Sequence, residues 1–572
     1  MSKPALDSFR LDILSSALTA LTEEIEITLL RSAYSQVVKE AQDASCAIFT
    51  AAGRIVAQPV VIPGHLGSMK YMLAACLQSY PAPTLSAGDV LITNDPYQGG
   101  SHLPDIALFR PIFHARELVA IAGCLCHYTD VGGMVPGSNP QRATELYQEG
   151  LVLPPMKLHE AGRPNDTIRK LIRANVRNPA IFFGDLNAQE AAMLTGERRV
   201  LQLIERFGVE GVRQAMDMLI AITEQKAKAQ VAAMRRGSYV FEDFMDHDGI
   251  DLTRPVGIRV RLDVLEDRLR FDFTGTDPQV KGPLNAPLAK TWTSVFYCVM
   301  CALGDDVAFN DGLASIIDIY VPEGTVLNPR HPAPVNARSI TVNRVADVVL
   351  GALALAVPER LGAQSCGVPT GISFGGFDPR TGRNFVFYES YGGGMGATRG
   401  GDGADAVSTG TSNAMNIPVE AIEIDYPIRI RRYELAPDTG GSGKFRGGLG
   451  IIREYEMLAP SSSINARGDR TKFAPRGVHG GMNGAKSHFL LFDAEAPQGR
   501  EIPSKYSGQI QRGDRLRVRT SGGGGYGPPR ERQREAIVTE LRNGKLTVDK
   551  AREDYDVDAE SAVLAKPRAP QG

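Results

Sequence analysis

The sequence predicts an α+β protein of several domains. Three observations carry that expectation: a long amphipathic helix pattern near the N-terminus, alternating strands paired through short turns, and a glycine-rich second half with short strands between the glycine clusters. At 572 residues the chain suits three or four domains, or two large ones, at roughly 100–200 residues each. Composition shifts place boundaries near 240 and 370. That gives an N-terminal α+β domain over 1–240, a central α/β segment over 241–370 and a glycine-rich, β-dominated domain over 371–572. Apolar residues make up 43%, enough for a sizeable core.

Taken in order, residues 6–37 read as one helix, with Leu11, Leu14, Leu18, Leu21, Ile25 and Leu29 at helical spacing. ASCAIFTAAGRIVAQ alternates like a strand and turns at Ala52-Gly53, which predicts a hairpin. DVLITN (89–94) reads as a buried strand. IALFRPIF, the polar turn HARE and LVAIAGCLCH form a second hairpin. Residues 188–235 are helical in pattern, and Gly249 marks the switch to the alternating GIRVRLDV and RLRFDFTG. Helices follow around 288–303 and 342–357. Glycine clusters at 392–404, 440–450, 477–484 and 522–527 carry interspersed aromatic and branched residues, which predicts a loop-rich β region and not a linker. The last forty residues read as a strand and helices.

Charge and cysteine content exclude several classes. Lys plus Arg is 63 against 65 for Asp plus Glu, with no dense basic run, so nucleic acid is not the expected partner. MSKPALDSFRLDILSS lacks the apolar core of a signal peptide. The longest apolar run, VVLGALALAV (348–357), is about half of what a membrane-spanning helix needs. Seven cysteines without framework spacing point to a reducing compartment, so the expected location is the cytoplasm. The lone CxxC at Cys298 and Cys301 sits among apolar residues, which favours buried helix packing over zinc or redox chemistry.

The chemistry concentrates in NDPYQGGSHLPD (94–105). If the two strands pair through HARE, residues equidistant from the turn centre lie opposite each other. His127 then faces about residue 104, between His102 and Asp105. Two imidazoles and a carboxylate are the ligand set of catalytic metal sites that keep a position open for water. The set suits zinc, manganese or iron and is too nitrogen-rich for magnesium or calcium. Asp43, opening an otherwise apolar strand, is a fourth candidate. Asp130 in HYTDVGG is a ligand, an orienter of His127 or an Asx-turn residue; the last two are favoured. His65 lines the pocket or satisfies a turn carbonyl. His247 in MDHDG reads more simply as a turn than as a second cation site. A P-loop is absent, because Gly443-Lys444 and Gly544-Lys545 are followed by Phe and Leu. YGGGMGATRGGDG (391–403) allows an anion cradle, but close backbone packing explains its glycines equally well. No nucleophile elbow stands out, so metal-activated water is the strongest chemistry the residues support.

NDPYQGGSHLPD, HYTDVGG, DFTGTDPQVKGPLNAP (272–287), YGGGMGATRGGDGADA (391–406), the block 416–450 and SGGGGYGPP (521–529) together resemble the hydantoinase B / 5-oxoprolinase / acetone carboxylase α-type family, over essentially the full length. Ser521 stands where proline is expected. The resemblance implies an ATP-dependent hydrolase of cyclic amides, such as 5-oxoproline, N-methylhydantoin or caprolactam. It implies a hydantoinase A-type partner of actin-like fold that binds ATP with magnesium and phosphorylates the substrate carbonyl, in an α2β2 assembly. It also implies a metal, zinc or manganese with iron third, on His102, Asp105 and His127 with Asp43 as fourth ligand. Asp130 would orient His127, while Tyr97, Gly99, Gly100 and His65 would shape the substrate pocket. The alternatives are a ketone carboxylase component, which the chain's short length disfavours, and a non-catalytic scaffold for the A-type subunit.

Overall fold

The computed structural model describes residues 7–557 except 60, 61 and 305. Helix α1 (Ser8–Ser32) starts at Asp7, whose carboxylate caps the Arg10 amide, and buries the six-residue leucine and isoleucine stripe read from the sequence. It ends five residues before the expected limit. Backbone at Ala33 turns extended and a short helix α2 (Gln36–Lys39) follows, capped by Ser35. The first expected residue, Leu6, lies outside the described residues.

Seven strands form the first sheet: β1 (Ala44–Thr50), β2 (Ile55–Ala57), β3 (Val90–Thr93), β4 (Asp105–His114), β5 (Glu117–His127), β6 (Met156–Glu160) and β7 (Arg163–Pro164), in the order β2-β1-β5-β4-β3-β6-β7. Alternate side chains serve opposite faces, as the two-residue period of a strand requires. Cys46, Ile48, Ile106, Leu108 and Cys124 join the core beneath α1 and α5 (Pro179–Phe207). Phe49, Leu91, Phe109, Ile121 and Leu125 face α3 (Pro63–Ser79). Helix α4 (Asp166–Asn175) adds Ile168 and Ile172 to the first of these cores, and α6 (Val209–Ala232) follows α5 across Gly208, at φ +79°.

The second sheet begins earlier than the sequence suggested. Strand β8 (Gly237–Met245) begins twelve residues before Gly249 and pairs with β9 (Val256–Val264), which pairs with β10 (Leu269–Asp272), followed by the parallel β11 (Ile317–Tyr320). Its half-exposed pattern hid it behind the basic MRRGS. Helices α7 (Leu288–Leu303) and α9 (Arg338–Ala356) close this core; a four-residue α8 (Asp311–Ala314) lies between them. Cys298 is buried within α7, whereas Cys301 is exposed, so only half of the CxxC packs as expected. By length and composition α9 suffices to cross a membrane, but 72% of it is buried inside the protein, which makes it a core helix.

The remaining strands make a four-stranded sheet (Arg383–Tyr391, Thr370–Asp378, Ser461–Arg467, Lys505–Gln511) and a five-stranded one (Ile428–Leu435, Ile451–Met457, Arg515–Arg519, His488–Phe492, Arg500–Glu501). The glycine clusters pack backbone against backbone beside them. The Gly448 amide donates to Met395 O at 2.7 Å, Gly523 to Gly448 O at 2.9 Å and Gly441 to Gly523 O at 2.8 Å. A Cβ at Gly394, Gly448 or Gly523 would strike the carbonyls of Gly448, Ala404 and Met395. Close approach of chains is therefore the reason for glycine at 392, 393, 394, 396 and 403, whereas Gly400 and Gly401 face open space. The described part of the C-terminal tail holds two short helices (Arg534–Arg542, Val548–Tyr555) and no strand; 558–572 lie outside the described residues.

Candidate metal centre

The stretch 94–105 is fixed by its own polar atoms before any chemistry enters. Asn94, fully buried, donates to the carbonyls of Leu103 (2.7 Å) and Leu151 (2.9 Å) and accepts from the Leu153 amide (2.6 Å). Asp95 caps the turn that follows, accepting from the Tyr97 amide at 2.9 Å. Gly99 lies at φ +91° with its Cα side against the Tyr71 carbonyl, where no side chain fits. The loop then delivers His102 and Asp105 to the start of β4.

The register of β4 and β5 sets the third member. Asp105 pairs directly with His127, one residue from the alignment expected by counting out from HARE. The cause is a bulge opposite Ile112 and Phe113, where β5 carries one extra residue, Val119. His102 Nε2 lies 2.9 Å from Asp105 Oδ1 and 3.1 Å from His127 Nδ1; His127 Nδ1 lies 3.1 Å from Asp105 Oδ1. All three side chains are buried, and they are the one group of metal-ligating type that converges among the described residues.

The donor set fits a metal ion. Two facing ring nitrogens 3.1 Å apart share at most one proton, while three lone-pair atoms converge on the same point. Donor atoms bound to one transition-metal ion at about 2.0–2.2 Å stand roughly 3–3.5 Å apart, close to the separations found here. The outer ring nitrogens, His102 Nδ1 and His127 Nε2, are buried without a partner, so the protein makes no competing demand that would turn the rings.

Surrounding residues lock the cluster. Arg338, at the start of α9, donates from Nη2 to Asp105 Oδ2 (3.0 Å) and from Nε to Ser101 Oγ (2.8 Å), which leaves Oδ1 to face the rings. His127 stacks on Tyr388, with centroids 5.0 Å apart, and the Tyr388 hydroxyl accepts from Arg467 Nη2 at 2.8 Å. Burial would raise the Asp105 carboxyl, but the His102 ring and the Arg338 guanidinium pull it well below the usual carboxylate range. Burial, then Arg338, pushes His102 well down, so its ring is neutral at pH 7.

Asp43 and His65 share the small cavity beside the cluster, about 60 Å³ in volume. Asp43 Oδ1 lies 3.3 Å from His65 Nε2, and the Asp43 carbonyl accepts from the His127 amide at 3.0 Å. Burial holds His65 down at about 4. Lys290, Arg338 and Arg467 line the same cavity, together with Tyr388. None of these four stands out in the sequence, since single side chains on two helices and two strands carry no spacing that links them.

Other candidates lie elsewhere. Asp130 accepts from the Gly132 amide (3.0 Å), the Gly137 amide (3.0 Å) and Arg177 Nη1 (3.0 Å); it is an Asx-turn residue and makes no hydrogen bond to His127. It lines a separate cavity of about 330 Å³ with Tyr128 and Asp185. Tyr97 donates to Ala333 O at 2.7 Å and, with Gly99 and Trp292, borders a third cavity of about 260 Å³. Gly100 serves the turn, donating to Asp95 O at 2.9 Å. His247 accepts from the Gly249 amide at 3.2 Å, as a turn residue does.

One buried acid ties the site's flanks together. Glu149 Oε1 accepts from the amides of Val335 (2.9 Å) and Asn336 (2.8 Å), just before α9. Burial pushes its carboxyl up from 4.5 to about 8. The folded protein thus holds a proton that the unfolded chain releases above its ordinary value, so this stability is full at low pH and is lost as pH rises through about 8. Denaturant midpoints should fall from pH 5 to pH 9 in the wild type and fall less in Glu149→Gln. Equal slopes would refute the assignment.

The sequence profile described as Hydantoinase B/oxoprolinase matches residues 7–529. The chain belongs to this family. It is 32% identical to the putative B-type subunit of a D-/L-hydantoinase from a Pseudomonas species, with 96% of this chain and 95% of that one covered. It is also 32% identical to the beta chain of caprolactamase from Pseudomonas jessenii, covering 96% of each. The crystal structure of that ATP-dependent caprolactamase superposes with a TM-score of 0.89 at 29% identity, over 98% of this chain and 99% of that one. Acetone carboxylase shares the fold, with a TM-score of 0.87 over 95% of this chain and 79% of that one at 19% identity. As a hydantoinase B-type chain, the protein carries its buried His102–Asp105–His127 cluster within the span that defines the family.

Proposed function

We propose that this chain is the metal-bearing B-type subunit of an ATP-dependent hydrolase that opens a cyclic amide: a lactam, a hydantoin or a 5-oxoproline-like ring. The observation that carries the reading is the convergence of His102 Nε2, His127 Nδ1 and Asp105 Oδ1 in a chain whose relatives include one chain of a caprolactamase. These three atoms would hold zinc or manganese, with iron third, and Asp43 is proposed as fourth ligand through the carboxylate oxygen that His65 leaves free. When bound, such an ion lowers the pKa of water to about 7 and makes it a nucleophile near neutrality.

The chain's own residues have separate tasks. Arg338 fixes which Asp105 oxygen faces the rings, and Tyr388 holds the plane of His127. His65, neutral at pH 7, is placed to exchange a proton with Asp43 across 3.3 Å. An A-type partner, carrying ATP and magnesium in an α2β2 assembly, would phosphorylate the ring carbonyl and make its carbon electrophilic. The proposed location is the cytoplasm.

The test is the chain co-produced with an A-type partner and given a panel of lactams and hydantoins with ATP. A ring-opened amino acid, and about one transition metal per chain by elemental analysis, are expected. Carbon from labelled bicarbonate retained in a new carbon–carbon bond would instead indicate a ketone carboxylase. Full turnover by an assembled pair with His102→Ala would leave the chain a scaffold.

A further inference from the structure

The cavity beside the cluster is rich in buried positive charge. Lys290, Arg338 and Arg467 are 4%, 7% and 3% exposed and all line it, against two carboxylates, Asp43 and Asp105. The carboxylates are already engaged: Asp105 by both rings and Arg338, Asp43 by His65. Donors, by contrast, are left over. Arg467 Nε and Ser339 Oγ are buried in this wall without partners. Lys290 Nζ has one protein acceptor, the Gly64 carbonyl, for its three hydrogens. Arg338 uses Nε and Nη2 and keeps Nη1 unengaged.

Buried cations in excess are costly unless an anion meets them. Three cationic side chains face two carboxylates, and a divalent ion on the cluster would widen the excess. Size narrows the ligand. One water needs roughly 10–15 Å³ of such space, so about 60 Å³ holds four to six small atoms. That is the size of a phosphate or carboxylate group.

We propose that this cavity is an oxyanion site, in which Lys290, Arg338 and Arg467 hold a phosphate-sized anion next to the metal cluster. Guanidinium forks suit the paired oxygens of such groups. An anion here also keeps Lys290 charged, which burial and then Arg338 otherwise hold near 7. The site itself stands on the buried charges. Naming its occupant as the phosphoryl group on an activated carbonyl rests on the function proposed above; a substrate carboxylate is the other source of the same chemistry.

Titration calorimetry of the purified full-length chain with inorganic phosphate, and separately with acetate, tests this, on metal-loaded and chelated protein. Saturable phosphate binding is expected in both forms. Arg467→Gln and Lys290→Met should each weaken it on the order of tenfold or more, the weight of a charge-assisted hydrogen bond. Arg467→Lys should recover part of the loss, and the exposed Arg500→Gln should bind normally. Metal content and thermal midpoint of each variant establish that it is folded. No phosphate or acetate binding, or binding that needs metal and ignores both substitutions, overturns the site. Acetate binding without phosphate overturns only the phosphoryl source. An intact anion site in a pair that opens no cyclic amide overturns the functional reading alone.

Discussion

Asp105→Asn lowers turnover of the reconstituted pair by more than about 100-fold and empties the chain of most of its metal. Loss of an outer partner of a ligand already costs roughly 10–100-fold in affinity or activity, and Asp105 is placed as a ligand. Its Oδ1 sits 2.9 and 3.1 Å from the two ring nitrogens, while Oδ2 meets Arg338 at 3.0 Å. The amide keeps the shape but removes the charge, and its N–H₂ must face either the rings or Arg338. The variant therefore loses stability as well, approaching the roughly 3–5 kcal/mol typical of breaking a buried pair. Metal analysis, kcat and a denaturant midpoint on one preparation separate the effects. A folded variant with wild-type turnover would remove Asp105 from the reaction.

Much of this centre was legible because strands have a period of two and hairpins have a register. Counting outward from HARE brought His127 to within one residue of its partner; the bulge opposite Ile112 and Phe113 supplied the difference. No local pattern signals such a bulge. Arg338, Lys290, Arg467 and Tyr388 were not legible, because they come from α7, α9 and two later strands, more than 160 residues along the chain from His127. Side chains that converge only through tertiary packing leave no spacing to read. Asp130 falls to the Asx-turn reading, one of the two favoured: its carboxylate turns back to Gly132, Gly137 and Arg177 and makes no hydrogen bond to His127. Helix α7 was placed correctly end to end, because Gly304 at φ +88° stops it and Pro287 starts it. The strand β8 was missed because half of its residues face solvent in no strict alternation.

The second large effect is structural. Arg344, within α9, is fully buried and donates to Asp243 Oδ2 of β8 (2.9 Å) and to Asp469 Oδ2 (3.0 Å) beyond the strand Ser461–Arg467. Arg470 donates to Asp347 Oδ2 at 2.7 Å, and Lys505 to Asp469 Oδ1 at 3.0 Å, so the network joins the second sheet and its helix to the C-terminal sheets. Arg344→Met fills similar volume but leaves Asp243 and Asp469 short of a cation in a dry interior. Removing one member of a buried ion pair costs roughly 3–5 kcal/mol, a large share of the roughly 5–15 kcal/mol that holds a typical domain together. Burial disfavours the Asp243 carboxylate, and it is Arg344 first that opposes this and holds it low, so removal of Arg344 also raises its affinity for a proton. The variant should accordingly recover part of its loss on acidification, where a protonated Asp243 no longer needs the missing charge. Because α9 also carries Arg338 at its first turn, weakening this joint is expected to loosen the metal cluster from behind, with metal affinity falling only after the denaturant midpoint has fallen. Arg344→Met with a wild-type midpoint would show that the joint is held by apolar packing alone. A lowered midpoint in Arg344→Met beside an unchanged one in Arg344→Lys would assign the effect to charge and not to the two-pronged geometry.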